Sequence, residues 1–485
     1  MERAPLYALL TTYWPHILAV LSVVLGSVAA IHAAMSKRDV RSAVGWVGVI
    51  LLSPILGAVI YAVAGINRMR RKSILARGTL RNRALGEARP PRSVSQDDYV
   101  AVFGPRFGAL KTLGDRVAGP LRPGNSITPL TSGDETYDAL CAAIDAAERS
   151  IILETYIFDR DAVGLRIADR LRAAKERGVA VRVLIDAVGA RYSVPSIVPY
   201  LRDCGIPVAD FNGKVIIGLR LPYANLRTHR KIAVIDGRIG FIGGMNIRAA
   251  FSGTHAAQDT HFRVTGPIVG DLLAVAADDW HFDTREMLEG EAWQAAAEPV
   301  SEDPALARVV VSGPDANLET NHKVIMGAIS VAERSIRIMS PYFLPDGVLL
   351  GAIATAALRG VKVEIIVPAQ NNLGIVARAM NAQFGESLRN GVRIYKAGKV
   401  FNHSKLLAVD ETWAYIGSSN LDSRSLRLNF EIDMEVHDRK FARLIGARLD
   451  AALGEATEVT LEGLRGRPFP IRLLDRIFWL ASPYL

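Results

Sequence analysis

The chain has 485 residues, of which 22% are charged and 50% come from the apolar and aromatic classes, so a disordered or collagen-like polymer is excluded and about three folded domains are expected. The net charge of +9 is lopsided: residues 1–125 carry 17 Lys or Arg against 6 Asp or Glu, and the remaining 360 residues carry 41 against 43. This argues against a basic groove spread over the whole protein, and the two cysteines, Cys141 and Cys204, leave no disulfide framework and suit a reducing compartment.

From Trp14 to Met35 the chain is apolar and carries no formal charge, long enough to cross a bilayer core, which takes ~20 residues. A second run, Ala43 to Ile66, contains Gly45, Gly48, Pro54, Gly57 and Gly65, which membrane helices tolerate. Trp14, Trp46 and Tyr61 stand toward the ends of these runs, as interfacial anchors do. The link between the runs holds Lys37, Arg38 and Arg41, and residues 68–92 hold nine Lys or Arg against Glu87 alone. The richer flank marks the cytoplasmic side, so two transmembrane helices are expected, about 14–35 and 43–66, paired as a hairpin with both ends and the large C-terminal part in the cytoplasm. Two rival readings are a cleaved signal peptide over 1–34, and a second run that is a core helix or a re-entrant segment kinked at Pro54. Residues 1–72 thus read as a membrane unit with a basic flank. Residues 73–125, with Pro90, Pro91, Pro105, Pro120 and Pro123, read as a juxtamembrane linker.

The soluble part is an internal repeat. Ala147-Glu-Arg-Ser-Ile151 recurs as Ala332-Glu-Arg-Ser-Ile336, each after a helical pattern and before a β-like run, I-I-L-E-T-Y-I-F at 151–158 and I-R-I-M-S-P-Y-F at 336–343. Further helical patterns follow, then buried strands opened by Gly178 and Gly360. Strand, helix, strand is a βαβ unit, so each half, 126–300 and 301–485, is expected to be an α/β sandwich, the two packed with pseudo-two-fold symmetry. Each half then carries H-x-K-x4-D: His229, Lys231 and Asp236 in the first, His403, Lys405 and Asp410 in the second. Asn246 follows in G-G-M-N and Asn420 in G-S-S-N, and the offset between halves is 174 residues at both the histidine and the asparagine.

In a strand, residues i and i+2 share a face, so each half offers an imidazole and an ammonium together. Two of each suit a phosphodiester: the lysines neutralise non-bridging oxygens, one histidine attacks phosphorus and the other protonates the leaving oxygen, with no metal required. Asn246 and Asn420 supply amide donors to the same oxygens. Asp236 and Asp410 lie an odd seven residues beyond their histidines, face the other way in a regular strand, and are expected to brace the scaffold rather than touch substrate. Each histidine needs an orienting acceptor, and Asp259 and Glu431 are the candidates. His255, His261, His322 and His437 read as structural, and no His or Cys spacing fits zinc.

These residues resemble the phospholipase D superfamily, and the fuller pattern resembles bacterial cardiolipin synthases: two N-terminal spans, P-I-L-G-A-V-I-Y-A-V-A-G-I-N-R at 54–68, N-x-R-T-H-R-K before the first motif, and G-S-S-N-L-D-S-R-S-L-R-L-N-F-E at 417–431. The resemblance implies a membrane-bound phosphatidyltransferase of the bacterial inner membrane, needing no cofactor, that joins two molecules of the anionic lipid phosphatidylglycerol into cardiolipin and glycerol through a phosphatidyl-histidine. It implies His229 as nucleophile and His403 as acid and later base. It also implies phosphate contacts from Lys231, Lys405, Asn246 and Asn420, and histidine partnering by Asp259 and Glu431. Thr228, Phe251 and Gln258 depart from the usual asparagine, tyrosine and arginine, which touches head-group contacts more than chemistry. The rivals are a phospholipase D hydrolase, a transferase using another lipid or alcohol, a membrane-tethered nuclease, which the charge of 126–485 disfavours, and an inactive scaffold. A C-terminal stretch from Phe469 has apolar residues at helical spacing with Arg472 and Arg476 among them, fitting a helix on the bilayer surface or on the core. The oligomeric state is not encoded in any of these patterns.

Overall fold

The computed structural model describes residues 4–37, 40–65, 93–211, 227–296, 298–300, 302–315 and 317–482, so the basic flank at 68–92 lies outside the described residues. The chain divides into two units. In the N-terminal unit, Ala4–Ser36 is one helix, and its part Tyr13–Ser36 is, among the described residues, the single helix long and apolar enough to cross a membrane. The second run, expected as one helix over 43–66, is instead broken into Val40–Leu52, Pro54–Ile60 and a single π turn, Tyr61–Gly65. Pro54 is the cause: it lacks an N–H and pushes the preceding residue out of helical geometry, and Ser53 sits at φ −145°, ψ 80°. These pieces pack on the first helix, with Tyr61 buried and its hydroxyl 2.8 Å from His32 Nδ1.

The second unit holds the repeat. Its first half contributes β1 (Arg122–Leu130), β2 (Ser150–Thr155), β3 (Ala180–Asp186), β4 (Val208–Phe211), β5 (Ile232–Ile235), β6 (Ile239–Gly243) and β7 (His261–Thr265). The second half contributes β8 (Ala305–Ser312), β9 (Ser335–Met339), β10 (Phe343–Leu344), β11 (Lys362–Pro368), β12 (Arg393–Ala397), β13 (Leu406–Val409), β14 (Trp413–Gly417), β15 (Leu421–Asp422), β16 (Glu431–His437) and β17 (Thr457–Glu458). Fifteen of these form one sheet that joins the halves through the β1–β8 pair. Outward from that seam the order is β1-β7-β6-β5-β2-β3-β4 on one side and β8-β16-β14-β13-β9-β11-β12-β17 on the other, so counterpart strands occupy counterpart places. The outer β2-β3-β4 and β9-β11-β12 runs are parallel, as βαβ units require, and the inner strands are antiparallel.

Burial explains the pattern. Every residue of β2 and β5 is buried, as expected for strands covered on both faces. Each half has its own apolar core, one from Leu130 to Phe251 and one from Val310 to Leu426, and the second also takes in Tyr99, Phe107, Leu110 and Leu121. Those four residues correct the linker assignment of 73–125: Gln96–Val117 is a helix built into the second core. Its Pro105 follows Gly104 at φ 84°, a kink within the helix rather than a loop. The helix is also tied in by charge, since the buried Arg308 guanidinium donates to Asp115 Oδ1 at 2.8 Å and to the Gly119 carbonyl at 2.6 Å, and pairs with Glu435.

Candidate active site

Both H-x-K segments lead into the strands β5 and β13, and each is pinned by the opposite half. His229 N–H donates to the Phe430 carbonyl at 2.8 Å, and His403 N–H donates to the Gln258 carbonyl at 2.7 Å. The residues that follow those carbonyls are Glu431 and Asp259, so the same crossing strands deliver the acids. His229 Nδ1 lies 3.0 Å from Glu431 Oε2, and His403 Nδ1 lies 2.8 Å from Asp259 Oδ2. Each imidazole is therefore oriented by the other half, which leaves its Nε2 for chemistry.

Alternation works as expected in the motif. Lys231 Nζ donates to the His229 carbonyl at 2.6 Å and Lys405 Nζ to the His403 carbonyl at 2.5 Å, whereas Arg230 between them points away, fully buried, and pairs with Asp279. Lys405 also reaches the first half, since a Cβ on Gly244 would stand 3.0 Å from its Nζ and 3.0 Å from Asp259 Oδ2.

Burial sets the charges. It lowers both histidines, assisted by the two lysines: His229 well below the ordinary imidazole value and His403 to about 3. It lowers Lys231 to about 7 and Lys405 to about 8. The two carboxylates then differ. Burial raises Glu431 above the usual range although Lys231, Ser418 and Asn429 oppose it. Burial also pushes on Asp259, but its bond to His403 and the charge of Lys405 outweigh that and hold it low. The Ser418 hydroxyl is not the source of the difference: it donates to Glu431 Oε2 at 2.5 Å, which acts to lower Glu431, and its counterpart beside Asp259 is Gly244, with no hydroxyl to give, so the His403 bond and the charge of Lys405 are what hold Asp259 low.

Asn246 accepts from Ile157 N–H at 3.2 Å through Oδ1, and Asn420 Oδ1 is buried with no partner among the described residues. A buried acceptor left unpaired costs free energy, and rotation of the Asn420 amide would put its Nδ2 donor there, where it could donate to a bound ligand oxygen. Asp236 and Asp410 stand apart from the histidines, beyond β5 and β13, about 20 Å along an extended chain. Asp236 accepts N–H bonds from Glu148, Arg149 and Ser150 at 3.0, 2.7 and 2.9 Å, and Asp410 from Glu333, Arg334 and Ser335 at 2.9, 2.8 and 2.9 Å. The repeated Ala-Glu-Arg-Ser segment is thus the backbone cradle of the repeated aspartate.

Two tyrosines escaped the sequence reading. Tyr156 packs 5.3 Å, centroid to centroid, from His229 and carries Lys231 over its ring, and Tyr342 packs 6.3 Å from His403. Their signal was present: each β-like run after Ala-Glu-Arg-Ser contains a tyrosine. Of the remaining histidines, His437 bonds Tyr99 Oη at 2.6 Å far from the motif, and His261 is buried on β7 with its Nδ1 unpaired among the described residues.

The model of the cardiolipin synthase phospholipase D-like domain matches residues 140–262 and again 325–452, one motif in each match. The chain belongs to the cardiolipin synthases of the phospholipase D superfamily. A cardiolipin synthase of Alkalihalophilus pseudofirmus is 32% identical over 457 residues, covering 93% of this chain and 90% of that one. Cardiolipin synthase A of Pseudomonas putida is 32% identical over 471 residues, covering 95% and 96%. An N-terminal phospholipase D-nuclease model matches residues 24–65, overlapping the apolar helix, which fits a membrane anchor for a cardiolipin synthase. The crystal structure of phosphatidylserine synthase from Haemophilus influenzae superposes with a TM-score of 0.56 at 18% identity, covering 74% of this chain and 95% of that one, and so shares the fold.

Proposed function

We propose that this chain synthesises cardiolipin, moving a phosphatidyl group from one phosphatidylglycerol to the primary hydroxyl of another and releasing glycerol. The observation that carries the reading is the crossed pair of dyads, His229 with Glu431 and His403 with Asp259, beside two buried lysines. Lys231, Lys405, Asn246 and Asn420 hold the phosphate oxygens. The anion offsets the field of the lysines and lets one imidazole take a proton. Asp259, held ionised against His403, draws that proton to His403, whereas Glu431, raised by burial, gives His229 less electrostatic support. His229 is then the neutral nucleophile. Its Nε2 bonds to phosphorus as the P–O bond to glycerol breaks, and His403 protonates the leaving oxygen. In the second half-reaction His403 takes the proton of the incoming hydroxyl, whose oxygen bonds to phosphorus as the P–N bond breaks. The lysines meet charge on the phosphoryl oxygens in both steps.

The same reading makes the two halves a pseudo-two-fold pair, supported by the matched strand order about the β1–β8 seam. It also makes the N-terminal unit a membrane hairpin with the catalytic halves in the cytoplasm of a bacterial inner membrane, supported by the basic residues at 68–92. The test is purified protein with phosphatidylglycerol labelled in its head group. Cardiolipin with one free glycerol per turnover is expected, and trapping of an acid-labile phosphatidyl adduct on His229 but not His403. Phosphatidic acid as the main product would make the protein a hydrolase instead.

A further inference from the structure

We propose that the helix Phe469–Trp479, together with the apolar rim of the active site, is a docking face that lies in the headgroup layer of an anionic bilayer. The proposal rests on the lipid-transferase reading above. The helix is inside out for one that only packs on a water-soluble core. Its one buried residue is a charge, Asp475, held by Arg467 at 2.7 Å and Arg378 at 3.5 Å. Phe469, Ile471, Leu473, Leu474 and Ile477 are exposed, Phe469 to 68% and Ile477 to 51%, and Leu480 just beyond the helix to 72%. A surface helix ordinarily turns its apolar stripe inward and its charge to water. Here the ion pairs of the buried Asp475, with Phe478 and Trp479 half-buried against the second core, fix the helix to the protein and leave the exposed apolar residues free for another apolar phase.

Its place connects it to the site. The helix packs along Gly374–Arg389, and Arg378, the partner of Asp475, is one turn in from the start of that helix. Immediately before that start, Asn372 Oδ1 accepts from the Tyr342 hydroxyl at 2.8 Å, and the Tyr342 ring stands against His403. Leu373 and Ile375 between these two points are exposed to 47% and 48%. Exposed apolar residues therefore lie both at the start of the helix that is tied to His403 through Asn372 and Tyr342 and on the C-terminal helix packed along it.

Charge selects the occupant. Between Gly463 and Leu480 the acid is Asp475, already buried and paired, whereas Arg465, Arg472 and Arg476 are exposed. Apolar residues interleaved with arginine fit anionic lipid, with the side chains among the acyl chains and the guanidinium groups at phosphate depth. A transmembrane helix such as Tyr13–Ser36 tethers a protein but does not aim its active site. A docking face at the rim would let headgroup phosphates reach the histidines while the acyl chains stay in the bilayer.

The test uses the full chain in nanodiscs. A nitroxide is placed at Leu474→Cys in a Cys204→Ser background, Cys141 being buried. In discs rich in phosphatidylglycerol the label is expected to become accessible to oxygen and shielded from a water-soluble nickel chelate. The variant I471E/L474E/I477E is expected to lose ten-fold or more of its turnover on bilayer phosphatidylglycerol and to keep turnover on a monomeric short-chain phosphatidylglycerol, which also shows that it is folded. A label that stays accessible to nickel, or shielded from both relaxants as in a protein contact, would overturn the proposal, as would full bilayer turnover by the triple variant. If the triple variant loses both activities, the label's depth decides. If the unaltered protein turns over neither lipid, the function assignment fails, while the depth measurement still answers the docking question.

Discussion

Replacing Asp410 by alanine separates scaffold from chemistry. The carboxylate is 2% exposed and accepts three backbone N–H bonds at 2.8 to 2.9 Å from the turn that opens β9, with Arg106 3.3 Å away. Charge-assisted hydrogen bonds are worth ~1.5–3 kcal/mol each, but water would replace part of what is lost at this half-buried turn, so about 3 kcal/mol is the expected cost. Alanine at φ 51° adds about 1 kcal/mol, because the left-handed region suits aspartate better. Together these predict a melting temperature lower by roughly 5 °C for the large unit that holds both halves. Burial tends to raise the Asp410 carboxyl, and the three N–H groups with Arg106 outweigh it and hold it below the usual range. A depressed folded pKa means the carboxylate's stabilisation is complete at neutral pH and disappears as the pH falls below about 4, so the gap between variant and parent should narrow in acid to the pH-independent backbone cost. The assays are thermal unfolding in detergent at pH 7 and pH 3, and turnover per folded molecule well below the melting temperature. Unchanged melting with abolished turnover would refute the bracing role and move Asp410 into the chemistry.

Three further outcomes are expected. Ser418→Ala removes the 2.5 Å hydroxyl bond to Glu431 and should lower kcat by about ten-fold or more with the fold intact, whereas kcat equal to the parent's would mean the hydroxyl does not steady the His229 dyad. Because burial brings Lys231 to about 7 and Lys405 to about 8, their positive charge is lost as the pH rises through those values, so kcat/KM should fall above about pH 8; a plateau to pH 10 would show that other groups bind the phosphate. Incubation with EDTA should leave turnover unchanged, since the lysines already supply the cations and no cluster of three or more His, Cys, Asp or Glu among the described residues is arranged for a metal; loss of activity restored by a divalent ion would contradict this.

Much of the candidate site was readable because it was written twice. A lone H-x-K carries little information, but equal spacing in two halves singled out His229, Lys231, His403, Lys405, Asn246 and Asn420, and strand alternation alone turned Asp236 and Asp410 away from them. Two elements were misread for local reasons. Pro105 and its glycine suggested a loop where a kinked helix, Gln96–Val117, takes part in the second core, because tertiary packing through Tyr99 and Phe107 overrides one unfavourable junction. Ala43–Ile66 read as one apolar helix because hydropathy averages over the break that a single proline makes.

By itself the sequence determined the duplication, the residues of each motif and the kind of charge they bring. Only the tertiary structure decided who pairs with whom. Asp259 is 30 residues from His229 in the chain, yet it serves His403, and Glu431 crosses 202 residues to serve His229. The reason is the seam: β7 and β16 flank the β1–β8 junction, so the acids at their starts come up against the motif of the opposite half. Spacing along a chain records what lies on one strand face, and is silent on which distant strand lies beside it.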